Sequence, residues 1–211
     1  SAFRERVTDF MAHWLGLDHL AETEKQDPAF DGAMKGAMTS EFRAFVADRL
    51  LADGARFADL FTATESRSFA GLDKIYGPAA VAGGRVTFEA GKRRGLIGLS
   101  GVLAAHASPT ASDPVQRGML VRLKLLCEPM PPPADGVDFG KVMTNEGMQT
   151  RERFEALAKT EGCTACHMVI NPPGYLFEEF DHLGRFRTSE KGRPIDVSGS
   201  IPPFFDAEPY P

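Results

Sequence analysis

The chain has 211 residues, 43% of them apolar and 25% charged, and a formal net charge of −5. That composition is ordinary for a folded protein and excludes disordered, collagen-like and low-complexity classes. With 24 basic against 29 acidic residues and no run of like charge, a nucleic-acid partner is not expected; no stretch approaches the roughly 18 apolar residues of a membrane-spanning helix. The start, Ser1-Ala2-Phe3-Arg4, leads straight into an amphipathic pattern without signal-peptide features, which reads as a mature chain or a fragment.

The first half reads as helical. Phe3, Val7, Phe10, Met11, Trp14 and Leu15 recur at spacings of three and four, and Gly16 closes the run. Asp27-Pro28 offers an N-cap followed by Pro at the first helical position. Phe30, Met34, Met38, Phe42, Phe45, Val46 and Leu50 then predict one long helix, or two bent near Gly36, ending at Asp53-Gly54. Phe57, Leu60 and Phe61 begin a shorter segment, and 68–77 reads as another helical turn or two. Gly77-Pro78 and Gly83-Gly84 are breakers. Val86, Phe88 and Ala90 alternate with polar residues and predict a short strand, with little other sheet. The many Phe residues of this half are core candidates.

In the second half, 96–106 is apolar and reads as a short buried helix. Asp113-Pro114 repeats the cap-then-Pro signal, and Val115, Met119, Leu120, Leu123 and Leu126 line a helix to about Cys127, whose thiol reads as buried and inert. Pro129 and the run at 131–133 form a stiff connector, with a turn at Asp135-Gly136. A helix starting near Thr144 or Thr150 runs through Phe154, Leu157 and Ala158 into Gly162. Asn171-Pro172-Pro173-Gly174 predicts a turn, 175–183 an amphipathic helix, and the tail from Ser189 an irregular segment. The fold class is mainly α, with an irregular helical region over 1–92, a second region over 93–211 and very little sheet.

Among 3 cysteines, two carry the chemistry. Cys163-Thr164-Ala165-Cys166-His167 has the spacing of a c-type haem attachment site. Two thiols three positions apart can each form a thioether with one vinyl group of a haem, and the adjacent imidazole then serves as the proximal iron ligand. Gly162 allows close approach of backbone to macrocycle. A loop fixed by Pro172 and Pro173 offers a backbone carbonyl for the His Nδ1 proton, which would leave Nε2 to the iron. Three other readings compete. Zinc needs four ligands, and Cys127, His13, His19, His106 and His182 are too scattered to supply a second pair. A redox dithiol wants a βαβ context, which is missing. An incidental motif is the third.

The segments Cys163 to His167, Asn171-Pro172-Pro173-Gly174-Tyr175, Glu178-Glu179-Phe180-Asp181 and Gly184-Arg185-Phe186-Arg187 together resemble the planctomycete-type cytochrome domain. Arg94-Gly95-Leu96, the run from Ser112 to Gly118 and the prolines at 131–133 extend the likeness upstream. Trp14-Leu15-Gly16-Leu17-Asp18 and the helix after Asp27 are similar to the end of the helical domain of unknown function that precedes it. The likeness spans nearly the whole chain, and it implies the C-terminal part of a helical domain over 1–92 followed by a cytochrome c-like haem-binding region over 93–211. It implies a fragment of a large exported bacterial protein, located in the periplasm or at the cell surface. Two departures stand out: that family usually has Met three residues after the His and Asp before the Pro, where this chain has Ile170 and Asn171.

The sixth ligand decides the class of function. No Met follows Met168, so a distal donor must lie upstream. His106 is the first candidate, because related sequences have His nearby; a helix-terminal His bonded to carbonyls is its plainer reading. Met119 is second, with a core role as its alternative, and Met143 and Met148 are further thioethers. His182, His13 and His19 read as surface or cap residues. Arg185 and Arg187 are candidates to pair with haem propionates, as guanidinium and carboxylate match in bidentate fashion; a solvated edge is the alternative. Tyr175, Phe177, Phe180 and Phe186 read as packing on the macrocycle or in the core.

Three functions follow. The first is an electron-transfer module with one covalent haem c, working with a redox partner protein or with other domains of the full-length chain. The second is a haem enzyme or sensor with an open, peroxidase-like distal site. The third is a structural or interaction domain of a surface protein without functional haem. Protein made without haem-maturation machinery is expected to lack the cofactor.

Overall fold

The structure, a computed structural model, describes residues 2–128, 130 and 147–203. It is about 49% helical and 9% strand, a mainly α fold with little sheet. The connector at Pro129 and 131–133, the turn at Asp135-Gly136 and Met143 lie outside the described residues. Contacts divide the chain into two compact units, Ser1–Thr110 with Phe180–Phe186, and Ala111–Glu179 with Arg187–Pro211.

In the first unit, α1 (Ala2–Trp14) turns Thr8, Met11, Ala12 and Leu15 inward at i, i+3, i+4 and i+7. Phe3 and Phe10 share a different face and stay 68% and 64% exposed, so they are not core residues. Gly16 takes φ 72 and starts a 3₁₀ turn, Leu17–Ala21. The long helix α2 (Gly32–Leu50) begins later than Asp27-Pro28 suggests. Its cap is Asp31, whose carboxylate accepts the Met34 amide at 2.8 Å. Asp27 instead closes a local turn, accepting the Ala29 amide at 2.9 Å. α2 runs unbroken past Gly36 and buries Met34, Met38, Phe42, Phe45 and Val46. Leu20, Phe30, Leu72, Ile75, Ala104 and Leu183 complete a core around its first half.

Helices α3 (Asp59–Thr62) and α4 (Asp73–Tyr76) are single turns. Between and after them, β1 (Glu65–Arg67), β2 (Val81–Ala82) and β3 (Arg85–Thr87) form an antiparallel sheet in the order β1-β3-β2, with Ser66 opposite Val86. The expected strand is β3; its partners are too short to show an alternation. The apolar run 96–106 is not one helix. A 3₁₀ turn, Leu96–Gly98, breaks at extended Leu99 before α5 (Ser100–Ala105). Leu96, Leu99, Val102, Leu103 and Ala104 are buried, and a Cβ on Gly101 would lie 3.3 Å from Leu17 and Met38. Packing thus places 93–110 with the first unit, whereas the sequence reading divides the chain at 92/93.

The 180–186 segment is a tight loop rather than the end of a helix. Phe180 and Phe186 bridge it, their rings 5.9 Å apart. The Asp181 carboxylate accepts the Leu183 and Arg185 amides, and Gly184 adopts φ 80, where a Cβ would crowd Ser100 and Leu103 at 3.1 and 3.2 Å. A side chain that satisfies backbone donors in this way competes with the helix ladder.

In the second unit, Asp113 caps α6 (Pro114–Met119) as expected, accepting the Val115 and Gln116 amides. The helix continues as a π-turn, Leu120–Leu125. Cys127 follows at φ 56 and is exposed, not buried, because it sits in the left-handed residue that closes the helix. Gln149 and Glu152 form a capping box at the start of α7 (Thr150–Ala158). Gly162, at φ 82, turns the chain into α8 (Thr164–Tyr175). A short hairpin of β4 (Ser189–Glu190) and β5 (Arg193–Pro194) orders part of the tail that the sequence leaves irregular.

The largest correction is α8. It carries Pro172 and Pro173 inside the helix, where a turn is expected. Proline removes the amide that would bond to the carbonyl four residues back, so Pro173 leaves the Val169 carbonyl without its helical donor. The fully buried Arg122 supplies one, its Nε donating to Val169 O at 2.6 Å. Two glycines let the helices close. A Cβ on Gly118 would collide with the Ile170 carbonyl, and one on Gly174 with the Pro114 carbonyl. α6 and α8 therefore touch backbone to backbone.

Candidate functional site

Cys163 is the N-cap of α8, and Cys166 and His167 lie in its first turn. Positions i, i+3 and i+4 share one helix face, so helix geometry brings the two thiols and the imidazole together. Both thiols are free and half-buried, and His167 is half-buried. The His167 amide donates to the Cys163 carbonyl at 3.1 Å, which fixes the motif as the first α-helical turn.

The imidazole is oriented one turn further on. His167 Nδ1 lies 3.0 Å from Asn171 Oδ1. Asn171 is 1% exposed, and its Nδ2 donates to the Phe154 carbonyl of α7 at 3.2 Å. With the amide nitrogen committed, Oδ1 is the acceptor and His167 carries its proton on Nδ1. The acceptor is thus a side chain in a helix, in place of the expected backbone carbonyl in a proline loop. Tyr175 follows Asn171 by four residues, and burial pushes its phenol up to about 12, partly offset by a hydrogen bond from Asn171. The Arg151 guanidinium lies 4.3 Å over its ring.

This donor set suits a c-type haem. It offers two accessible thiols at the required spacing and an imidazole held as the tautomer with a free Nε2 lone pair. Among the described residues no group of three or more His, Cys, Asp or Glu side chains could hold a metal ion.

The other candidates are dispersed. His106 belongs to the first unit, as the C-cap of α5, with Nδ1 2.9 Å from the Val102 carbonyl and Nε2 facing Gly16. Met119 ends α6, half-buried. Met148 precedes α7 and lines an open groove with Glu152, Glu155, Lys159 and Arg193. Both arginines are engaged by carboxylates. Arg185, in the first unit, donates to Asp181 and Asp27, each at 2.6 Å. Burial opposes the charge on Asp27, yet the Ala29 amide and Arg185 hold its carboxyl below the ordinary value. Arg187, in the second, pairs with Glu190 at 3.1 Å and donates to Ser112 Oγ at 2.9 Å. Ser112 in turn donates to the buried Glu178, whose pKa burial raises against the pull of Arg117. His13 and His19 are exposed beside Asp18, while His182 is mostly buried, 3.7 Å from Asp27.

A polar cluster inside the first unit has no counterpart in the sequence reading. Glu41 on α2 is fully buried and accepts from Ser66 Oγ at 2.5 Å, Tyr76 OH at 2.8 Å and Ser100 Oγ at 3.2 Å. Burial lifts its carboxyl to about 7, against those bonds and the nearby Arg93 charge. Arg93 stacks between Tyr76 and Phe180, 4.7 and 4.5 Å from their centroids, and donates to the Gly98 and Gly184 carbonyls. A lone Glu at a core-facing position of α2 is the only sequence signal for this cluster.

Residues 93–190 match a family model named PSCyt3, a protein of unknown function (DUF1588). Residues 1–77 match another named PSD4, a protein of unknown function (DUF1592). Both are planctomycete cytochrome-associated domains. The first of these matches contains the C-x-x-C-H segment and both arginines. No curated protein and no solved structure matches the chain. No helix among the described residues is long and apolar enough to cross a membrane.

Proposed function

We propose that this chain is a c-type cytochrome module of an exported multidomain protein, with haem joined to Cys163 and Cys166 and His167 as the proximal ligand. One observation carries the reading: the two thiols and an imidazole whose Nδ1 lies 3.0 Å from Asn171 Oδ1 share one face at the start of α8. A haem held there supplies one-electron chemistry. The chain's own part is to fix the cofactor by two thioethers, to present one imidazole nitrogen, and to hold that imidazole's orientation through Asn171. Electron transfer to a partner protein or a neighbouring domain is the function best supported, and attachment of this kind takes place outside the cytoplasm.

The test is export with haem-maturation machinery, followed by mass spectrometry and visible spectra of the ferrous protein. A covalent haem adduct is expected, and Cys163→Ala with Cys166→Ala should make the pigment extractable by acid acetone. Bare polypeptide from wild-type cells would sink the proposal. Carbon monoxide separates the two haem readings, since a six-coordinate centre resists it and an open site binds it. His106→Ala, Met119→Ala and Met148→Ala, made singly, identify any sixth donor by the variant that turns a low-spin spectrum high-spin.

A further inference from the structure

We infer that Asn171 is the positioning residue for His167: its side-chain carbonyl selects the imidazole tautomer and, being neutral, holds the centre at a higher reduction potential than a carboxylate would. The inference rests on the haem reading above and deepens it. Four observations support it. The Nδ1 to Oδ1 distance is 3.0 Å, within ordinary hydrogen-bond range. Asn171 is nearly fully buried, so water does not compete for the contact. Its amide cannot invert freely, because Nδ2 donates to the Phe154 carbonyl of α7. Its place is set by the helix itself, four residues from His167, in a helix that two prolines would otherwise end.

A proton acceptor on the far nitrogen of a ligating imidazole fixes ring orientation and tunes ligand basicity. A carboxylate there pulls the Nδ1 proton strongly, makes the ligand more electron-rich and stabilises ferric iron. An amide carbonyl pulls weakly. An apolar residue leaves the proton unclaimed, and the tautomer that puts it on Nε2 then competes with metal binding.

The variants are Asn171→Asp, which keeps the acceptor and adds charge, and Asn171→Leu, which removes the acceptor at similar size. The first readout needs no haem. ¹⁵N spectra of ring-labelled His167 in haem-free protein, at alkaline pH, report the tautomer. The Nδ1–H form is expected in wild type and in the Asp variant, with Nε2–H becoming the major form in the Leu variant. The second readout is the midpoint potential of matured protein, expected to rise in the order Asp variant, wild type, Leu variant. An Nδ1–H majority that persists in Asn171→Leu, or one potential shared by all three, overturns the inference. If the Leu variant does not fold, the Asp variant decides: a potential equal to or above wild type overturns it. Failure of the haem reading is seen separately, as wild-type protein without an adduct by mass, and would take this inference with it.

Discussion

Replacing Glu41 by Gln should change how stability depends on pH. In the folded chain the Glu41 carboxyl titrates at about 7, against an ordinary value of 4.5, because burial disfavours its charged form more than Ser66, Tyr76, Ser100 and Arg93 favour it. The sign follows from proton binding: between pH 4.5 and 7 the folded state holds this proton and the unfolded state does not. The group's contribution is therefore fully present below pH 4.5 and lost as pH rises through 7. At 1.36 kcal/mol per unit, the shift corresponds to roughly 3 kcal/mol, most of it lost between pH 5 and 8. Gln keeps the shape and one acceptor oxygen, its NH2 donates to a hydroxyl that turns to accept, and it has no proton to lose. Denaturant titrations of both proteins at pH 5, 6, 7 and 8 isolate this site, since other titrating groups cancel in the difference. Wild type should fall relative to the variant by roughly 2 to 3 kcal/mol across that range. A difference that stays flat with pH would show that Glu41 is already ionised in the fold and that Arg93, not desolvation, governs it.

Gly118→Ala and Gly174→Ala should each cost about 2 kcal/mol or more in thermal denaturation, because each Cβ meets a carbonyl of the facing helix and not a movable side chain; full tolerance of either would contradict the close helix crossing. Arg122→Ala should cost roughly 3 to 5 kcal/mol, leaving the Val169 and Pro202 carbonyls without this donor and Glu128 without its ion-pair partner. Circular dichroism of that variant should also show helix loss, since Val169 O then has neither proline amide nor guanidinium. Asp31→Ala should lower stability by about 1 kcal/mol and Asp31→Asn by less, the signature of an N-cap; no loss in Asp31→Ala would argue against the cap.

Local structure was readable and long-range structure was not. The shared helix face of Cys163, Cys166 and His167, the apolar period of α2 and the cap at Asp113 each depend on residues within one or two turns of each other, so a linear reading finds them. Asp27-Pro28 reads as the cap of α2 in the sequence, whereas Asp31 caps it and Asp27 is held by the Ala29 amide and Arg185. Phe3 and Phe10 have helical spacing, but which face of α1 turns inward is settled by what packs against it. Asn171 was visible as a residue before two prolines and as a departure from the Asp of the family it resembles, with no role attached. Its hydrogen bond to His167 needs the helix to reach position 171, and α8 runs on through Pro172 and Pro173, where Arg122 replaces a missing amide donor and Gly118 and Gly174 admit α6 at backbone distance. Proline's local preference is worth a few kcal/mol; a buried guanidinium and a glycine-lined helix crossing outweigh it, and Arg122 and the facing helix α6 are far from the prolines in sequence.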